Sequence, residues 1–154
     1  MTKVDFYHLQ KQTLEEVLPK LLEKAYETGK KVKVKVGNEE RVEFINSLLW
    51  TYNDFSFLPH GSKKDGNAAL QPIWLSVEDD NPNGALYLFL VDGAKVGIEE
   101  LQKYERVFNI FDGNSGETVG QAREFWKEVK GAEIDAQYWQ QDNGKWTSMA
   151  GSSK

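Results

Sequence analysis

The segment ALYLFLV, residues 85–91, constrains the fold more than any other stretch, because nearly every side chain in it is apolar. A strand with one face in water alternates apolar and polar residues, whereas a strand covered on both faces does not. Residues 85–91 are therefore predicted to form a strand near the centre of a sheet that has helices on both sides.

Strand and helix patterns alternate through most of the remaining chain, which predicts an α/β fold. We expect a three-layer, Rossmann-like arrangement in which helices flank a mostly parallel sheet. The polar turn at residues 78–84 is interpreted as a hairpin, so at least one strand pair is expected to be antiparallel. Further strands are predicted at residues 3–9, 30–36, 71–77, 106–111 and 133–141, and helices from Thr13 to about Gly29 and at 39–50, 97–103 and 115–130.

Local signals define the first helix and the strand that follows it. Thr13 and Glu16 have the spacing of a capping box, and Gly29 suits the C-terminal cap. Pro19 is expected to kink this helix or to mark its true start. The alternating lysines and valines of residues 30–36 predict a strand with one buried face and one face in water.

Length and composition limit the classes of protein to consider. The 154 residues are predicted to form one domain over residues 1–142, followed by a polar, frayed tail over residues 143–154. The absence of cysteine excludes disulfides and thiolate chemistry, and fits a cytoplasmic protein. A net charge of -5 argues against general nucleic-acid binding, and no apolar run is long enough to predict a signal peptide or membrane span.

Motifs of catalysis or phosphate binding are mostly missing. The loop DGNSGETVG, residues 112–120, precedes a predicted helix, but it matches neither a Walker loop nor GxGxxG. His8 and His60 both lie near predicted strand ends and could be neighbours, although HExxH and GxSxG are absent. No metal or cofactor is expected. The alternative to a binding protein is a small nucleotide-binding or hydrolytic enzyme that uses loops near His8, His60 and Gly113.

The segment LLWTYNDFSFLPHG, residues 48–61, is unusually rich in large apolar side chains. One interpretation makes it a further core strand. The other leaves Trp50 and part of the following loop exposed as a docking surface, since exposed aromatic clusters mark binding sites.

The helix segment AREFWKEVK, residues 122–130, has an apolar face that includes Trp126. Arg123, Lys127 and Lys130 share a second face. These cations either form a solvated surface or, next to the aromatic edge, capture an acidic peptide or a terminal carboxylate.

Seven segments together, in this order, resemble the chi subunit family of bacterial DNA polymerase III. The most specific is the leucine–tryptophan pair that precedes Phe57, Leu58, Pro59 and His60. The segments are VDFYHL, VLPKLLEKAYETGKKV, LLWTYNDFSFLPHG, PIWLS, RVFNIFDG, AREFWK and QYWQQDNGKW.

The resemblance implies a non-catalytic accessory subunit associated with the clamp loader. It would bridge the polymerase assembly to the acidic C-terminal tail of single-stranded-DNA-binding protein. The implied second partner is the psi subunit or another polymerase or helicase protein. The implied location is the cytoplasmic replisome at the nucleoid, with no direct nucleic-acid or membrane contact.

The resemblance also assigns residues to these two surfaces. Trp50 and Phe57 correspond to the surface for psi or a helicase partner. Phe55 and Leu58 are expected in the core, and His60 is expected to fix the loop rather than perform chemistry. Positions that correspond to the tail-binding surface are Phe111, Arg123, Trp126 and Lys127.

Overall fold

A computed structural model of the chain describes residues 2–10, 12–51, 60–62, 65–142 and 145–148. In these ranges one eight-stranded sheet is flanked by four α-helices, and a short 3-10 helix spans Ala68–Leu70. The strands are β1 (Lys3–Leu9), β2 (Val32–Val36), β3 (Gly61–Ser62), β4 (Ile73–Ser76), β5 (Tyr87–Val91), β6 (Arg106–Asp112), β7 (Asp135–Asp142) and β8 (Lys145–Ser148). The helices are α1 (Leu14–Glu27), α2 (Glu39–Thr51), α3 (Ile98–Leu101) and α4 (Gly116–Gly131).

The strand order is β3-β4-β2-β5-β6-β1-β7-β8, and strands β1 to β7 run parallel. α1 and α2 pack on one face of the sheet, whereas α3 and α4 pack on the other. Every residue of β5 is buried between the two layers. The predicted three-layer α/β class is therefore confirmed, as is the central position of the all-apolar strand.

The predicted hairpin at residues 78–84 is wrong. β4 and β5 both pair in parallel with β2, on its two sides, so the connection between them crosses β2. The antiparallel pair is β7 with β8, and Lys145–Ser148 lies within the segment predicted to be a tail. The division of the chain at residue 142 stays a prediction. The polar composition of residues 61–69 predicts a loop, but the structure has the short strand β3 at its start.

The capping signals of α1 are confirmed. The Glu16 backbone amide donates to Thr13 Oγ1 at 3.3 Å, and the Thr13 amide donates to Glu16 Oε1 at 2.9 Å. The helix begins at Leu14, so Pro19 does not mark its start. Gly29 follows the last turn with φ of +82°, a conformation that glycine adopts without a steric penalty.

The predicted wet face of β2 is also wrong. Lys33 is only 1% exposed, and its Nζ donates to the carbonyls of Glu78 and Asp80 and to the Asp80 carboxylate at 3.1 Å. Lys35 pairs with Asp79 in the same turn. A parallel pair needs a crossover connection, and this one folds over the lysine face of β2. Burial lowers the pKa of Lys33, an effect that Asp80 opposes.

Candidate functional site

Side chains from β1, β6, β7 and α4 meet on the α4 side of the sheet, and we call His8, Phe111, Trp126 and Tyr138 the aromatic cluster. His8 pairs in register with Phe111 on β6, and their ring centroids are 5.2 Å apart. His8 Nδ1 lies 2.5 Å from the Tyr138 hydroxyl oxygen. The Tyr138 ring centroid lies 6.0 Å from that of Phe111 and 6.1 Å from that of Trp126.

The local sequence explains how α4 reaches this cluster. Ser115 caps the helix by accepting a hydrogen bond from the Thr118 amide at 3.3 Å. The apolar face of the helix contains Trp126, which is 9% exposed. Gly113, in the preceding loop, has no room for a side chain, because a Cβ there would lie 2.0 Å from the His8 ring. The loop therefore passes directly over His8.

Arg123 supplies a positive charge that acts on two members of the cluster, His8 and Tyr138. Its side chain is exposed. Burial lowers the pKa of His8, Asp112 opposes that shift, and Arg123 adds to it. Burial raises the pKa of Tyr138, and Arg123 opposes the rise. The guanidinium is thus close enough to act on both rings, so charge and aromatic surface occur together.

The lowered pKa of His8 predicts a pH effect on stability. The unfolded chain has the ordinary histidine pKa of 6.5 and takes up a proton before the folded chain does. Above pH 6.5, the titration of His8 should therefore not change the free energy of unfolding. That free energy should fall as the pH drops from 6.5 toward the folded-state pKa of His8. Urea unfolding at about pH 7.5 and about pH 5.5 should show a larger loss for the wild type than for His8→Gln. Equal losses in the two proteins would contradict this origin.

The other predicted cations lie farther along α4. Lys127 Nζ is 3.6 Å from Glu124, and both side chains are more than 70% exposed. Lys130 Nζ lies 5.8 Å from the centroid of the Trp126 ring. An ion pair between such exposed groups contributes little, so a ligand carboxylate can compete for Lys127 at small cost.

The structure thus brings together Phe111, Arg123 and Trp126 of the predicted tail-binding set, with Lys127 one turn away. Most of the Trp126 ring packs inward against Phe6, at 5.2 Å between centroids, so little of it faces solvent. Sequence reasoning missed Tyr138 and did not assign His8 to this surface. The available signal was the period-two alternation of their strands, but it gives no register between β1 and β7.

Trp50 lies on the other side of the molecule, at the end of α2, and is 51% exposed. Its ring centroid is 4.4 Å from that of His60. His60 is 3% exposed, and its Nε2 lies 3.0 Å from the Asn46 carbonyl oxygen. Trp50 is thus partly exposed and partly packed on His60, and its role in docking and the structural role of His60 stay predictions. Phe55, Phe57 and Leu58 lie outside the described residues.

The two histidines are not neighbours, contrary to the expectation from strand ends. His8 is on β1, while His60 precedes β3, and four strands separate them. Five strand spacings of about 4.8 Å amount to roughly 24 Å. The site proposed for the alternative enzyme, with His8, His60 and Gly113 together, is therefore not assembled. In the described part of the chain, no group of three or more His, Asp or Glu side chains is placed to hold a metal.

No helix in the described ranges is long and apolar enough to span a membrane. Fold and site together define a three-layer α/β protein with a mostly parallel sheet, a cationic helix flank beside an aromatic cluster, and an exposed tryptophan on the opposite layer. The chain belongs to the DNA polymerase III chi subunit (HolC) family, whose model matches residues 1–137. The resemblance seen in the sequence is therefore confirmed.

A curated relative is named as a probable DNA polymerase III subunit chi from Rickettsia prowazekii (strain Madrid E). The two sequences are 32% identical over 109 residues, which is 70% of this chain and 66% of the relative. The chain thus spans slightly less than two thirds of the length of that protein. Family membership supports an accessory role in DNA replication.

Proposed function

We propose that this chain is a non-catalytic accessory subunit of bacterial DNA polymerase III in the cytoplasmic replisome. It links the clamp-loader side of the polymerase to the acidic C-terminal tail of single-stranded-DNA-binding protein. The observation that carries this proposal is the cationic flank of α4 beside the aromatic cluster. The whole chain has a net charge of -5, so a local positive surface of this kind points to an acidic ligand.

Arg123 is the proposed anchor for the tail. Its planar guanidinium can hold a carboxylate through two parallel hydrogen bonds, whereas Lys127 adds a point charge one turn away. Tyr138 contacts Trp126 of α4 and the buried Phe111, and its partly exposed ring offers an apolar edge. An acidic peptide with an apolar C-terminal residue would meet charge and aromatic surface together.

Trp50 is the proposed centre of the second surface, which takes the psi subunit or another polymerase or helicase partner. Its exposure supports this assignment, because the ring is available before binding and can be buried by a partner. His60 packs against the ring and restricts its orientation. α2 and α4 lie on opposite faces of the sheet, so both partners can bind at once, as an adaptor requires.

Arg123→Ala should weaken binding of a fluorescent acidic tail peptide by about tenfold, or 1.4 kcal/mol, because a charge-assisted contact is lost. Added salt should weaken the wild type as well, since exposed charges are screened. Titration followed by fluorescence anisotropy measures both effects.

The matched control is Lys24→Ala, an exposed lysine near the end of α1 on the opposite face. Lys33 does not serve as a control because it is buried, and Lys11 does not because it lies outside the described residues. Equal tail affinities for the wild type and Arg123→Ala would refute the assignment of this surface.

A further inference from the structure

An open crevice of about 960 Å³ lies at the carboxyl ends of β1, β5 and β6. It is enclosed by the first turns of α1 and α2 on one side and by α4 on the other. In open α/β sheets, ligands bind in the crevice outside the carboxyl ends of the strands. Phe111 is the one member of the aromatic cluster that lines this space, whereas His8, Trp126, Tyr138 and Trp50 do not line it.

The crevice is strongly acidic. Among the described residues that line it, six carboxylates face two cations. One of these cations, Arg41, is already held by Asp92 at 3.0 Å and by Glu15 at 3.2 Å. This surplus of negative charge disfavours a nucleotide, whose phosphates carry the same sign. The carboxylates belong to Glu15, Asp92, Asp112, Glu117, Glu124 and Glu128, and the second cation to Lys95.

Apolar side chains lie between the charges. Leu14 and Phe125 are half-buried and line the crevice from opposite sides, with Leu90 and Ile110 beneath them. A small cation would leave this apolar surface in water. A chain segment that alternates basic and apolar side chains would satisfy the charge and cover the apolar surface together.

α4 carries acidic and basic side chains on different faces around its axis. Glu117, Glu124 and Glu128 line the crevice, while Arg123 lies at the aromatic cluster. By helical geometry, Glu117, Glu124 and Glu128 fall within about 40° of one another around the axis, and Arg123 lies about 100° or more from each of them. Lys127 lies between the two faces and contacts Glu124. The helix therefore offers surfaces of opposite sign to two different ligands.

We propose that this crevice binds a basic, amphipathic segment of a protein partner, in which arginine or lysine alternates with apolar residues. Its carboxylates pair with the cations of that segment, and Leu14 and Phe125 cover its apolar side chains. This is a third surface, beyond the acidic tail and the partner of Trp50.

The probe is a short fluorescent peptide of alternating arginine and leucine, followed by anisotropy. Glu117→Gln combined with Glu128→Gln should weaken its binding by about tenfold, because two favourable charge pairs are lost. Glu124 is left intact because it contacts Lys127. The matched control, Glu27→Gln combined with Glu99→Gln, removes the same charge from exposed positions outside the crevice and should change affinity less than about twofold.

Gln121→Trp tests the position without changing charge. Gln121 is exposed and lines the crevice, so the larger ring occupies part of the space and should weaken probe binding. The same variant should bind the acidic tail peptide as well as the wild type, which separates this inference from the proposed function. A probe with serine in place of leucine should bind more weakly than the original.

Four results would overturn the inference. One is an equal loss of affinity in the crevice and control double variants, which would indicate non-specific attraction only. Another is unchanged probe binding by Gln121→Trp or unchanged binding of the serine probe. The last is a rise in the melting temperature of the protein on addition of ATP without the probe, which would indicate a nucleotide site instead.

Discussion

Phe6→Ala is expected to lower the free energy of unfolding by about 3–5 kcal/mol, since a fully buried aromatic side chain leaves a cavity when it is removed. Phe6 is 0% exposed and lies at the centre of β1. Its ring contacts Phe125 at 5.4 Å and Trp126 at 5.2 Å between centroids, and lies parallel to Tyr138 at 6.4 Å. It therefore supports both α4 and the aromatic cluster.

Urea unfolding followed by far-ultraviolet circular dichroism measures this loss. The control is Phe44→Ala, because Phe44 is 47% exposed on α2 and should cost roughly 0.5 kcal/mol or less. Phe6→Leu keeps most of the volume and should cost less than Phe6→Ala. A loss below about 1 kcal/mol for Phe6→Ala would mean that the site collapses around the cavity and that Phe6 does not set the position of α4.

Local patterns were sufficient to predict most elements of the fold. The capping box of Thr13 and Glu16 lies within one helical turn, so its prediction needed no distant contact. The all-apolar β5 reports burial on both faces directly. Alternation of strands and helices then led to the three-layer class.

Features that depend on distant parts of the chain were not predictable in this way. The alternation of residues 30–36 indicates which face of β2 is apolar, but not that the connection from β4 to β5 covers the lysine face. Burial of Lys33 is tolerated because three oxygen atoms accept hydrogen bonds from its ammonium group. The hairpin prediction failed for the same reason, because turn composition does not tell a hairpin from a crossover.

The candidate site likewise contains residues that local spacing places together and residues that meet only through the fold. Arg123, Trp126 and Lys127 share one helix, so helical spacing alone placed them together. His8 and Tyr138 are separated by 130 positions in the sequence, and their contact depends on the register of β1 with β7. The same spacing placed Trp126 on the apolar face of the helix, in agreement with its exposure of 9%.

Trp50→Ala is expected to weaken binding of the partner of the second surface, on α2, by about 2 kcal/mol or more, which is roughly thirtyfold in affinity. Aromatic side chains that are buried in an interface commonly have effects of this size. Without a bound partner, 51% of the Trp50 surface is already in water, so the free energy of unfolding should change by only about 1 kcal/mol or less. A pull-down with the wild-type chain identifies the partner, and calorimetric titration of the purified partner measures affinity.

Two comparisons show whether Trp50 acts through docking. Leu70→Ala removes a side chain that is 76% exposed on the 3-10 helix, and it should leave the partner's affinity unchanged. Arg123→Ala should also leave this affinity unchanged, because α4 lies on the opposite face of the sheet. Phe57→Ala should weaken binding of this partner but not binding of the tail peptide. If Trp50→Ala instead unfolds the protein or costs several kcal/mol of stability, its contact with His60 is part of the core and the docking assignment fails. If a stable Trp50→Ala variant keeps its affinity, the partner binds at another surface, because a half-exposed tryptophan at the centre of an interface should contribute to binding.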